Sequence, residues 1–236
     1  MVRAITFAWI SLATFAQTPA FEAASVKPAA PITGRGGRTT SSGDRSTYAN
    51  TTLLNVLARA YLVKGYQIDG PSWIKTDRYD IVAKAPDNTP KDQIPLMLQA
   101  LLADRFQLKL HREPRQMTVY ELIVKGAAKL EKSEGELGYD IANGRRELKN
   151  HTTAQLTDFL AGILQRPVFD RTNLTGTYNF RLEMSMEELG GINAKPDSPA
   201  PSIFTIIEGL GLKLESRKEP VEVIVIDSGN KVPTEN

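Results

Sequence analysis

Residues 51–61, Thr51-Thr52-Leu53-Leu54-Asn55-Val56-Leu57-Ala58-Arg59-Ala60-Tyr61, decide the fold class, because their pattern returns later from Thr152-Thr153 onward. In the first stretch the apolar residues Leu53, Val56, Leu57, Ala60 and Tyr61 fall at i, i+3, i+4, i+7 and i+8. In the second, Leu156, Phe159, Leu160, Ile163 and Leu164 keep the same spacing. That spacing predicts one apolar stripe per helix, with a threonine placed to cap the free amides at each start.

Working outward, each helix is followed by a short apolar strand, Tyr66-Gln67-Ile68 or Pro167-Val168-Phe169, ending in Asp69 or Asp170. An alternating strand comes next, around Tyr79-Asp80-Ile81-Val82-Ala83 or Tyr178-Asn179-Phe180-Arg181-Leu182. Ile94 to Leu102 and Ile203 to Leu210 read as short helices. Further strands follow, with expected turns at Glu113-Pro114 and Glu219-Pro220. Period-two alternation implies sheets with one covered face. The expected fold is α+β: two similar helix–strand–strand–helix–strand–strand units, with sheets backed by short helices.

The expected boundaries follow composition. Residues 1–20 form a signal peptide and 21–130 a first α+β unit with an N-terminal strand, Phe21 to Pro28. Residues 31–50 are glycine-rich and polar, and read as a mobile loop. Residues 131–150 read as a linker, 151–227 as the second unit, and 228–236 as a fraying tail. Gly190 to Pro201 reads as a loop interrupting the second unit.

The signal peptide rests on Arg3 followed by the apolar run Ala4 to Ala16 and then small residues. The run is shorter than the roughly 20 residues a spanning helix needs, so cleavage near Ala16 or Ala20 is expected. A periplasmic or secreted product with no membrane span follows from that reading. Cysteine is absent from all 236 residues, so burial rather than disulfides must hold the fold together. Lys and Arg number 29 against 27 Asp and Glu, a formal charge of +2, which supplies no field for steering onto nucleic acid.

Several stretches in order carry a family resemblance: Phe21-Glu22-Ala23-Ala24-Ser25-Val26-Lys27-Pro28, Gly70-Pro71-Ser72-Trp73-Ile74, Leu101-Leu102-Ala103-Asp104-Arg105-Phe106 and Arg166-Pro167-Val168-Phe169-Asp170-Arg171-Thr172. Together with Leu212 to Arg217 and Pro220-Val221-Glu222, they resemble a paralogous family of exported acidobacterial proteins of unknown function, of the Solibacter type. Where that family has Gly and Asp, this chain has Asn173 and Asn179. The resemblance implies an exported domain that senses or binds an envelope partner, with a membrane sensor peptidase as one candidate, since some relatives are fused to such enzymes. The element pattern also resembles the tandem short N-terminal modules of secretins and TonB-dependent receptors.

Chemistry-bearing residues are few. His111 and His151 lack ligand-spaced partners in sequence, and no metal site or cofactor is expected. Asp69, Asp77 and Asp80 cluster without the spacing of a calcium loop. Ser72-Trp73-Ile74-Lys75 matches the Ser-x-x-Lys pattern of penicillin-recognising enzymes, in which the serine must open a helix. The expected function is therefore a non-enzymatic exported domain binding a protein or envelope ligand. Trp73, Ser72 and Asp69 are the candidate contact residues. The alternatives are a serine hydrolase or penicillin-interacting protein using Ser72 and Lys75, and a structural exported protein with no ligand.

Overall fold

The computed structural model describes residues 19–30, 37–142, 145–183 and 202–234. Among these are five helices and three four-stranded sheets, a mixed α+β arrangement. The expected loop Gly190 to Pro201 lies outside the described residues, as do positions 1–18 and 31–36. No helix among the described residues is long and apolar enough to cross a membrane.

The chain forms two compact units that part at Leu62/Val63, Gly70/Pro71, Lys109/Leu110 and Asp227/Ser228, and not within 131–150. The first unit contains β1 (Ala23–Pro28), β2 (Arg38–Ser42), β3 (Arg45–Thr52), α1 (Leu53–Ala60), α2 (Trp73–Thr76), β5 (Arg78–Lys84) and α3 (Gln93–Phe106). Its sheet runs β1-β5-β3-β2 with every pairing antiparallel. Leu53, Val56, Leu57 and Ala60 are buried as the spacing of α1 predicts. Each large side chain so buried stabilises by about 1.5–3 kcal/mol. Thr52 Oγ1 accepts the Asn55 amide at the helix start.

Residues 37–50 are not a loop. They form most of a hairpin, β2 with β3, closed by the two-residue turn Gly43-Asp44, where Gly43 takes φ +59°. Composition misleads here because β2 is exposed at every residue and so carries no apolar alternation.

The residues after Ser228 do not fray through Thr234. The Asn230 amide donates to Phe106 O at 2.7 Å, and the Thr234 amide to Arg105 O at 2.8 Å. The Tyr79 hydroxyl donates to Lys231 O, also at 2.7 Å. These bonds use backbone atoms, which composition does not reveal.

The second unit contains a 3₁₀ turn (Gly65–Gln67), β4 (Ile68–Asp69), β6 (Lys109–Val124, all but its first residue), β7 (Glu131–Ser133), β8 (Gly138–Ala142), β9 (Arg145–His151), α4 (Thr153–Leu164), β10 (Val168–Asp170), β11 (Thr177–Glu183), α5 (Ile203–Gly209) and β12 (Leu212–Ser228, to Asp227). One sheet runs β10-β6-β12-β4, with β10 parallel to β6 and β4 parallel to β12. The other runs β7-β11-β9-β8 and is antiparallel. Leu156 and Leu160 of α4 and Ile207 of α5 join Leu122, Phe180 and Leu212 in one core.

Two expectations fail in this unit. Residues 131–150 are not a linker: they supply β7, β8 and most of β9, strands so polar that in β9 Leu148 is the buried apolar anchor. Nor does the chain turn at Glu113-Pro114 or Glu219-Pro220, since β6 and β12 run straight through both prolines. The physical reason is the shortness of the outer strands. β10 reaches only Tyr120 to Leu122 of β6, and β4 only Ile224 and Val225 of β12. Each proline lies beyond its outer neighbour, where its missing N–H interrupts no ladder on that side.

One device occurs in both units. Asn50 and Asn150 are left-handed, with φ +48° and +58°, each just before a capped helix. Thr152 Oγ1 accepts the Gln155 amide, and Gln155 Oε1 accepts the Thr152 amide in return.

Candidate functional site

The first unit contains an open cleft of about 480 Å³ between the start of β1 and helix α3. β1 is an edge strand, paired to β5 on one side, and its ladder is extended by the Glu22 amide donating to Lys84 O. Phe21, Ala23, Met97, Ala100 and Leu101 give the cleft apolar walls. Met97 and Leu101 lie on the buried stripe of α3.

The rim is charged. Glu22 Oε2 pairs with Lys84 Nζ at 2.9 Å, and that carboxylate holds the Lys84 ammonium above its ordinary pKa. Asp104 is exposed and lies 3.6 Å from Arg105 Nε. The α3 helix is held at its end by Gln107, left-handed at φ +48°, whose side chain donates to Asp104 O. Phe21 to Ala24 come from one of the quoted motif stretches and Leu101, Asp104 and Arg105 from another, and all of them line this cleft. Sequence spacing did not reveal it, because the cleft depends on packing between segments distant in the chain.

A second, smaller pocket of about 240 Å³ lies in the other unit, lined by Lys64, Tyr66, Asp158, Val168, Phe169 and others. Burial, and then the Asp158 carboxylate, push the Tyr66 hydroxyl pKa up to about 12, so it stays a protonated donor at neutral pH.

The sequence-derived candidates fall in different units. Asp69 belongs to the second unit, while Ser72 and Trp73 belong to the first. Asp69 is exposed and paired with Arg115 at 2.7 Å. Trp73 packs onto an aromatic of the core. It is half-buried and stacks on the fully buried Phe106, with centroids 6.3 Å apart and planes at 24°.

Ser72 does stand at the start of a helix, α2, which is short at four residues. Its carbonyl accepts the Lys75 amide and the Thr76 hydroxyl. No described hydrogen bond joins Ser72 Oγ to Lys75 Nζ, and both residues are exposed. The site thus lacks the buried serine–lysine contact that would activate a nucleophile.

The three aspartates considered for a cation each serve a separate partner. Asp77 pairs with Lys231 and Asp80 accepts the Asn50 amide, while Asp69 holds Arg115. His151 Nδ1 lies 2.9 Å from Lys149 O. His111 has acidic neighbours that its sequence position hides: Asp227 at 2.8 Å and Glu113 at 3.7 Å. No group of three or more potential ligands able to hold a metal occurs among the described residues.

No curated protein and no solved structure matches the chain. A family model matches residues 54–228, which is most of the sequence. The chain therefore belongs to the family described as protein of unknown function (DUF3738).

Proposed function

We propose that this protein is an exported, non-enzymatic binding domain that takes an extended segment of an envelope protein as an added strand along β1. One observation supports this reading above others: the 480 Å³ cleft lies between an edge strand and a helix. An incoming strand gains main-chain hydrogen bonds from such an edge, while alternate side chains enter the pocket beside it. Met97, Ala100 and Leu101 would receive an apolar side chain, and the carboxylates of Glu22 and Asp104 favour a neighbouring cation.

The test uses the chain from Phe21 onward as bait in an envelope extract, beside Ala100→Arg, which fills the cleft without touching the core. A defined partner retained by the unmodified chain and lost by Ala100→Arg, at unchanged melting temperature, supports the reading. Equal recovery by both, or nothing above background, overturns it.

Export rests on the character of residues 1–20. Protein recovered from cells should begin at Gln17 or Phe21, and an intact Met1 in the mature pool counts against it. The same reading takes the two halves of the chain as copies of one unit. The paired Asn50–Asp80 and Asn150–Asn179 contacts, with the Thr52 and Thr152 caps, support that view.

A further inference from the structure

Strand β2, Arg38-Thr39-Thr40-Ser41-Ser42, is exposed along its whole length and forms the edge of its sheet opposite β1. Among the described residues this five-residue edge, rich in threonine and without proline or lysine, leaves amides and carbonyls on its outer side, with Arg38 at one end as its sole charge. Its register shows which ones. Ser42 and Arg45 flank the two-residue turn, so they form the hydrogen-bonded closing pair, as Thr40 and Thr47 do two residues on. The N–H and C=O groups of Thr39 and Ser41 therefore face the free edge.

We propose that β2 pairs antiparallel with β2 of a second copy of this chain, with the two-fold axis at Thr40. In that register Thr39 opposes Ser41 of the second copy and exchanges both main-chain bonds with it. The symmetric pair doubles this to four bonds. Thr40 then faces its own counterpart in a non-hydrogen-bonded pair, where side chains approach most closely and threonine pairs are favourable. Arg38 opposes Ser42, so no like charges meet directly.

The other described edges suit self-pairing less well. Self-pairing of β8 sets Asp140 against Asp140, and of β7 Lys132 against Lys132. β1 ends in Pro28, which has no amide to give. β4 and β10 are only two and three residues long. In the β2 pair Arg38 of one copy and Arg45 of the other stand two strands apart, roughly 10 Å by strand spacing. That distance is close to the screening length at physiological salt, so added salt strengthens the dimer.

The experiment uses the full chain from Phe21. Sedimentation equilibrium should show a monomer–dimer mixture that shifts toward dimer with protein concentration and with salt. Thr40→Lys, which opposes two ammonium groups at the axis, should be monomeric with an unchanged melting temperature. Because the chain has no cysteine, Thr40→Cys introduces a single thiol, and opposed non-hydrogen-bonded positions lie within disulfide reach. Oxidation should link Thr40→Cys at least about tenfold faster than Thr39→Cys, whose side chain occupies the other face.

A chain that stays monomeric at all concentrations, a Thr40→Lys dimer as stable as the unmodified one, or equal oxidation rates for the two cysteine variants overturns the proposal. Thr40→Lys should still bind any partner of the β1 cleft, and Ala100→Arg should still dimerise, so failure of one proposal is distinguishable from failure of the other.

Discussion

Asp80 Oδ1 accepts the amide of Asn50 at 2.7 Å, and this bond fixes the left-handed residue that turns β3 into helix α1. The ladder between β3 and β5 shifts register at this point, between Tyr48 and Thr51. The carboxylate thus satisfies an amide that the irregular ladder leaves without a strand partner.

Removing that acceptor should destabilise the first unit. Asp80→Ala is expected to cost about 1–2 kcal/mol, while Asn50→Gly is near neutral or slightly stabilising because glycine takes positive φ without strain. Urea unfolding of both variants checks the contrast. Equal losses would mean that the asparagine side chain, and not the amide bond, matters.

Asp170 plays an anchoring part in the second unit. Burial alone would raise its pKa, but hydrogen bonds from Thr153 Oγ1 and from the amide and hydroxyl of Thr172 outweigh it and hold the carboxyl below the usual aspartate value. Its contribution is present above the unfolded aspartate pKa and is lost as pH falls through the lower folded one. Asp170→Ala leaves two buried threonine hydroxyls without their acceptor and should cost about 2–3 kcal/mol at neutral pH. As pH falls below the usual aspartate range the difference from the unmodified chain should shrink, as acid unfolding curves can show.

Tyr79 ties the C-terminal residues to the first unit. Its ring packs edge-on against Phe106 at 5.0 Å and its hydroxyl donates to Lys231 O. Burial, with Asp77 nearby, pushes its pKa up to about 12. A raised folded pKa gives stability that is complete below pH 10 and is lost as pH rises from there toward 12. Tyr79→Phe should therefore show a shallower alkaline decline, while Tyr66, with a similar shift, keeps part of it. At neutral pH Tyr79→Phe should cost about 1 kcal/mol, and deletion of residues 229–236 more, since that also frees the carbonyls of Arg105 and Phe106.

Ser72 should be chemically inert. A fluorophosphonate or fluorescent penicillin probe is expected to leave the chain unlabelled, and Ser72→Ala to change nothing. Labelling that disappears in Ser72→Ala would restore the hydrolase reading.

The helices were the legible part of the sequence, because burial writes a period into them. α1 buries its stripe and both helices carry their threonine caps where the spacing puts them, while α4 buries Leu156 and Leu160 and leaves Phe159, Ile163 and Leu164 only partly buried. α3 runs on to Phe106, past the expected end near Leu102, since Ala103 and Asp104 can face solvent on a helix as easily as in a loop. A strand exposed on both faces leaves no such record, which is why β2 reads as a loop. The cleft beside β1 was hidden for another reason. Its residues are ordinary in sequence, and only the meeting of Phe21 with Leu101 makes them a site.

The ordering of the chain through its two units has a kinetic consequence. Ile68 and Asp69, made early, find their strand neighbours only at Ile224 and Val225, and Tyr79 finds its acceptor only at Lys231. Such distant pairings imply high contact order and slow folding. These two contacts close only once residues 224–231 have been synthesised, so both are late steps in the folding of the chain.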